Sequence, residues 1–343
     1  MKITEILKKK GLDYILVINS RIKDPVFFYF TNFDVESGHL IFSKKDILLL
    51  VSDMEYKRAK KESLVKKIKK FERSKLFMEF IKKKLKGKII GINYNNVSLA
   101  TAKRLKKFCK IKDVSSELNE IRAVKTEQEI EKIRKACSVA SEILNDAIEN
   151  FKKHKFQKET DVKNFLENET RRKDCELAFR PIVASGRNSS LPHYNAEEIK
   201  LRKGFCVIDF GVKYKGYCSD ITRTIYIGTP LRKEIEEYEK VLFVQKKCIE
   251  MIKLGVKAEK LYLFAKKNLK NMIHGLGHGV GVEIHERPNL LEGSRDKLLK
   301  NMVFTIEPGT YNKYGIRIED TVLLKNNPEI LTKIDKKLKI IKV

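Results

Sequence analysis

The sequence predicts a small α/β domain followed by a larger α+β domain, in which helices cover a largely antiparallel sheet. Three observations carry this. The 343 residues fill about two domains at roughly 100–200 residues each. Strand-like and helix-like stretches alternate through the first third. Beyond it, long amphipathic helices separate runs with hairpin character.

The first domain opens with a short helical stretch at Thr4–Lys10 and an apolar run, Tyr14–Asn19. A second apolar run is Val26–Phe30. His39–Ser43 and Ile47–Ser52 flank Lys44-Lys45-Asp46, which signals a hairpin. A basic helix is expected next, with Leu64, Ile68 and Phe71 at helical spacing. Phe77–Leu85 reads as a helix, Lys88–Asn93 as a strand and Ser98–Phe108 as a helix. The boundary falls near Ser115–Ile121, giving domains 1–118 and 119–343.

Thr126-Glu127-Gln128-Glu129 starts the second domain's first helix with a capping box, each end serving the other's backbone N–H. Ile130, Ile133, Ala136, Ala140, Ile143, Leu144, Ala147 and Phe151 then keep one apolar face. Further helices are expected from about Thr160, from Thr229-Pro230 to Leu254 before Gly255, and over Ala258–Leu269.

Composition excludes several classes. With 42% apolar and 34% charged residues, the chain is neither disordered nor fibrous. No apolar run approaches the roughly 20 residues of a membrane span. The N-terminus lacks a signal-peptide apolar core, so a cytoplasmic protein is expected. The six cysteines form no C-x-x-C pair and read as reduced, buried thiols. The net charge of +28 is uneven: the first 115 residues hold 29 basic against 12 acidic side chains. Nucleic acid is a weaker reading than a solvated lysine face, because the runs are lysine rather than arginine and lack interleaved aromatics.

Chemistry concentrates in the second domain. Asp209 lies in an apolar, strand-like run, and Asp220 follows eleven residues later. If Tyr214-Lys215 is a two-residue turn, the two aspartates face each other at roughly 4.5–5.5 Å between Cβ atoms. Bare carboxylates that close repel, and a bound cation removes the conflict. The plainer alternative is a strand-end aspartate bonded to nearby backbone. Glu307 and Glu319 repeat the pattern twelve residues apart, which needs an odd loop centred near Lys313 to set them opposite. Arg317 shares the strand face of Glu319 and could hold it in orientation; an ordinary exposed ion pair is the alternative. His274, His278 and His285 fall within twelve residues, among Gly275, Gly277, Gly279 and Gly281. That many glycines argue against a helix and for close backbone approach in a strand or tight loop. His193 sits in a loop-like Ser190-Leu191-Pro192-His193 stretch. Oxygen donors with imidazole suit divalent Mn, Co, Fe or Zn, and four carboxylates match two such ions in charge.

At these residues the sequence resembles the M24 metallopeptidases: Xaa-Pro dipeptidase (prolidase), Xaa-Pro aminopeptidase, methionine aminopeptidase and creatinase. The resemblance implies a pita-bread α+β catalytic domain of two pseudo-symmetric halves behind a creatinase-type N-terminal domain. It implies metal ligation by Asp209, Asp220, His278, Glu307 and Glu319, with Asp220 and Glu319 bridging two divalent ions, Mn²⁺ or Co²⁺ first and Fe²⁺ or Zn²⁺ next. A hydroxide held between them would attack the carbonyl before proline. By motif position His193, His285 and Glu307 would be catalytic, His274 and Arg287 would contact substrate, and Tyr311 with Arg317 would support the metal shell. Asn289 stands where some prolidases carry an arginine for the dipeptide carboxylate. Small proline-containing peptides are the expected substrates and a homodimer the expected assembly. The function implied is an Xaa-Pro dipeptidase, with an Xaa-Pro aminopeptidase as the alternative. A non-catalytic module binding an acidic partner is the reading from another class.

Overall fold

A computed structural model describes residues 3–71 and 74–342, and these form two compact units that divide between Arg122 and Ala123. The ends of the expected domains at Met1 and Val343 lie outside the described residues.

The first unit is built on one six-stranded sheet. Its order is Ile68–Phe71, Ile47–Ser52, Gly38–Phe42, Tyr14–Asn19, Ile89–Ile92, Lys110–Asp113. The three inner antiparallel strands are apolar on both faces. Ile15 and Val17 enter one core with Leu49 and Val51, while Leu16 enters a second with Leu48 and Leu50. A sheet covered on both sides needs such continuous runs rather than an alternating pattern. The Val26–Phe30 run lies in a helix, Pro25–Thr31, whose first turn is capped by Asp24 accepting from the Val26 N–H at 3.0 Å.

One expectation fails here. The basic helix covers Asp53–Glu62 only, and Ile68–Phe71 is a parallel edge strand. Ser63 leaves the helix in an extended conformation, and its Oγ accepts from the Val65 N–H. The apolar spacing of Ile68 and Phe71 thus serves the sheet, where Leu49 donates to the Lys67 carbonyl at 2.9 Å. Pairing with a neighbouring strand overrides local periodicity.

The second unit repeats one plan twice. Helices Glu127–Glu149 and Glu159–Arg172 pack on a four-stranded sheet of Ile182–Ser185, Gly204–Phe210, Ile221–Ile227 and Ile340–Ile341. Helices Arg232–Glu250 and Ala258–Asn268 pack on a five-stranded sheet that contains Gly277–Gly279, Met302–Ile306 and Asp320–Leu324. The capping box forms: Thr126 N–H donates to Glu129 at 2.8 Å, and Glu129 N–H donates to the Thr126 hydroxyl at 3.3 Å. Seven of the eight apolar positions lie in that helix and are buried, and Phe151, just past its end, is buried with them. The helix expected from Thr229 begins at Arg232, because Glu234 reaches back to accept from the Leu231 N–H at 2.7 Å. It ends at Glu250 rather than Leu254.

Candidate active site

The site is assembled where the two halves of the second unit meet. The first hairpin turns one residue later than the spacing alone suggested. Tyr214 pairs with Tyr217, leaving Lys215 and Gly216 as the turn, both at positive φ. Two such residues make the turn that matches strand twist, and glycine takes the second place without strain. The consequence is a shifted register: Asp209 lies opposite Thr222, not Asp220. Asp220 is two residues from Thr222, so the aspartates are diagonal neighbours rather than a facing pair.

The second hairpin has the register its spacing required. Gly309 pairs with Arg317 and Tyr311 with Gly315, around a three-residue loop centred on Lys313. The flanking ladder pairs Ile306 with Asp320 in the same register, so Glu307 and Glu319 flank one level of the structure.

The glycine-rich segment delivers the imidazole. Gly277–Gly279 is a short strand wedged between Glu286–Leu290 and Met302–Ile306. A Cβ on Gly277 would collide with the Thr305 carbonyl, so this close approach requires glycine. The His278 N–H donates to the Thr305 hydroxyl at 3.1 Å, and its Nδ1 lies 3.2 Å from the Gly279 carbonyl. Nε2 is thereby turned to the carboxylates, 3.4 Å from Glu307 and 3.6 Å from Asp220.

These side chains line one cleft of about 410 Å³ with His193, His274, His285 and Arg317, walled by Phe179, Ile182, Ile284 and Leu291. Potential donor atoms of Asp220, His278 and Glu319 all lie within 4.8 Å of one another. Burial first, and then the neighbouring carboxylates, hold Asp220 and Glu319 well above the usual carboxylate range. Burial likewise raises Glu307 and lowers His278. Asp209 Oδ1 and Asp220 Oδ1 are buried with no hydrogen-bond donor. Buried acceptors without donors, crowded by like charge, fit divalent cations by both charge and donor type. The residues present therefore suit such ions.

Arg317 organises the margin. It donates to Asp209 at 2.5 Å, the Tyr311 hydroxyl at 3.0 Å, the Thr222 hydroxyl at 3.1 Å and the Pro192 carbonyl at 3.4 Å. Tyr311 in turn lies 3.0 Å from His274 Nε2. The His285 ring stands edge-on to His278, centroids 4.2 Å apart. Arg287 is not brought to the cleft: its guanidinium lies 3.7 Å from Asp296, and Asn289 lines the wall instead.

Comparison with known proteins decides the family. Residues 131–326 match metallopeptidase family M24. The chain belongs to that family. Residues 1–124 match the creatinase/prolidase N-terminal domain, and the catalytic unit of this M24 metallopeptidase has the pita-bread fold. An Xaa-Pro dipeptidase of Pyrococcus horikoshii is 36% identical, over 98% of this chain and 97% of the relative. The crystal structure of the prolidase from the same organism superposes with a TM-score of 0.89 at 34% identity, covering 98% of each chain. An X-Pro aminopeptidase from Thermotoga maritima gives 0.87 at 29% identity, covering 98% of each.

Two residues that touch the candidate ligands escaped the sequence reading. The Thr222 hydroxyl donates to Glu319 at 2.7 Å, and the Thr305 hydroxyl lies 3.4 Å from Glu307. Each stands two residues from a carboxylate on a strand-like run, Asp220-x-Thr222 and Thr305-x-Glu307, and so shares its face. That spacing was the available signal.

Proposed function

We propose that this metallopeptidase hydrolyses Xaa-Pro dipeptides with two divalent ions held by Asp209, Asp220, His278, Glu307 and Glu319. The observation that carries the proposal is the pair of buried, donor-free oxygens on Asp209 and Asp220 within a cleft of four carboxylates. When bound, the ions supply Lewis acidity, enough to ionise water near neutral pH and polarise the scissile carbonyl. Mn²⁺ or Co²⁺ suits the oxygen-rich set best, with Fe²⁺ and Zn²⁺ next. Glu307 accepts the proton lost by the attacking water. His285 and His193, which both line the cleft, hydrogen-bond the oxygen that gains charge, and the proton taken by Glu307 passes through them to the departing proline nitrogen. That nitrogen carries no N–H in the substrate, so recognition reads the ring by shape; His274, fixed by Tyr311, forms part of that pocket. Arg317 keeps Asp209 and Tyr311 in orientation. The working assembly is a cytoplasmic homodimer.

One observation favours a second reading, an Xaa-Pro aminopeptidase. Arg317 is the one cationic side chain among the cleft-lining residues besides the histidines, and it is already engaged by Asp209. A dipeptide's terminal carboxylate thus meets Asn289 rather than an arginine. The test is hydrolysis of Met-Pro and Met-Pro-Gly by metal-stripped protein, with Mn²⁺, Co²⁺ or Zn²⁺ restored singly. Metal-dependent cleavage of Met-Pro alone is expected. Cleavage of the tripeptide moves the assignment to the aminopeptidase, and cleavage of neither with ions bound overturns both.

A further inference from the structure

Outside the cleft, one buried ion pair has no part in the chemistry above. Lys125 Nζ lies 2.7 Å from Glu286 Oε1, and the two side chains are 0% and 1% exposed. Lys125 precedes the long first helix of the second unit; its N–H donates to the Asn301 carbonyl at 2.9 Å, and its Nζ also donates to the Ala123 carbonyl at 3.2 Å. Glu286 immediately follows His285 and opens the strand Glu286–Leu290. Removing two charges from water is costly, and a pair of well-packed apolar residues would often serve stability as well. A pair kept here invites a role beyond stability.

The local geometry supplies one. Gly279 pairs with Glu286 across a bulge after His278, and Gly281 donates to the Glu283 carbonyl at 3.0 Å. The Gly281 carbonyl accepts from the Cys218 N–H at 2.8 Å. A Cβ on Gly281 would collide with the Glu286 carboxylate, so the glycine makes room for it. The loop between His278 and His285 is therefore folded over the Glu286 side chain. His285 occupies the bend directly before that strand, so its backbone is set by where Glu286 is held. With Glu286 drawn inward to Lys125, His285 is turned out to the cleft, where its ring meets His278.

We propose that Lys125 and Glu286 are positioning residues, a buried tether that sets the direction of His285. This rests on the proposed catalytic use of His285, and the test separates the two. Glu286→Gln keeps the shape and removes the charge. Lys125→Met with Glu286→Gln removes both charges, so that no lone ion is left buried. Turnover of Met-Pro by the metal-loaded protein is compared for wild type, each variant, His285→Ala and the combinations, well below their melting temperatures. A 1 Å misplacement of a catalytic group costs up to about a hundredfold, so kcat is expected to fall by about ten- to a hundredfold with KM changed less. In the His285→Ala background the same changes are expected to cost less than about twofold, because residues acting through one another are not additive. Fully multiplicative losses overturn the tether and leave the peptidase reading intact. Hydrogen exchange on metal-free protein gives a readout independent of activity. Protection is expected to fall selectively over residues 279–287 in the variants. A loss spread over the whole second unit, or none in 279–287, overturns the proposal whatever the enzyme cleaves.

Discussion

Both units carry exposed ion pairs, such as Arg232 with Glu236 in the second, but the second also keeps some of its unlike charges dry. In the first, ion pairs lie outside: the side chains of Arg58 and Glu62 are 47% and 43% exposed, those of Lys67 and Asp46 63% and 42%. Lysine ammonium groups also rest on aromatic faces, Lys69 4.1 Å above Phe80 and Lys60 4.9 Å above Tyr56. In the second unit, Arg223 meets Asp320 at 2.8 Å with exposures of 3% and 0%, and Lys336, Gln245 and the Thr332 hydroxyl also donate to that aspartate. The lesson is that net charge locates neither site nor function. The unit with the larger charge excess holds it in water, where it is worth little. The unit with the chemistry spends folding free energy to keep unlike charges dry.

Substitutions sharpen this contrast, starting with the largest effect. Asp220→Asn removes a donor from the crowded acidic cluster. Activity on Met-Pro is expected to fall by at least about a thousandfold, with metal lost from the purified protein by elemental analysis. Retention of both metal and turnover would defeat the site assignment. Next comes Asp320→Asn, which leaves Arg223 and Lys336 facing a neutral amide. Urea unfolding of the second unit is expected to show a loss of about 3–5 kcal/mol, the cost of breaking a buried pair.

Thr222→Val removes one hydroxyl from Glu319 and Arg317 while keeping volume. Metal titration is expected to show about 10- to 100-fold weaker binding with little change in melting temperature. In the first unit, the half-buried His39 packs beside Phe77, ring centroids 4.4 Å apart, and burial pushes its pKa from 6.5 down to about 4. The folded state thus disfavours the proton. His39 contributes its full stability above pH 6.5, and loses it as pH falls from there through about 4. His39→Phe is expected to flatten the first unit's acid unfolding over that window, followed by circular dichroism. The smallest effect belongs to Lys67→Ala, expected to cost less than about 1 kcal/mol in the same denaturation, since exposed pairs contribute little.

Much of this was legible in the sequence, for identifiable reasons. The Thr126–Glu129 box and the Gly277–Gly281 run are governed by contacts a few residues long or by a steric demand that only glycine meets. The second hairpin was readable because twelve residues between Glu307 and Glu319 admit one centre. The first was not, because choosing between Tyr214-Lys215 and Lys215-Gly216 turns on a lysine accepting positive φ. Ile68–Phe71 misled because its partner strand lies some twenty residues earlier, and no local period reports that. Arg287 pointed to substrate by motif position alone; Asp296, nine residues on, holds it elsewhere. Lys125 gave no signal, since its partner Glu286 is far along the chain.

The hydrogen bonds between Thr224 and Arg317 run both ways, hydroxyl to carbonyl at 2.8 Å and N–H to hydroxyl at 3.1 Å. They stitch a strand that follows Asp209 and Asp220 to the one that ends two residues before Glu319. Neither half of the unit owns the donor set. Any ion that binds only the joined halves must then act as a thermodynamic clamp. Each tenfold rise in its free concentration above the dissociation constant adds about 1.4 kcal/mol against separation. The melting temperature of this enzyme is in that sense a gauge of the metal supply around it.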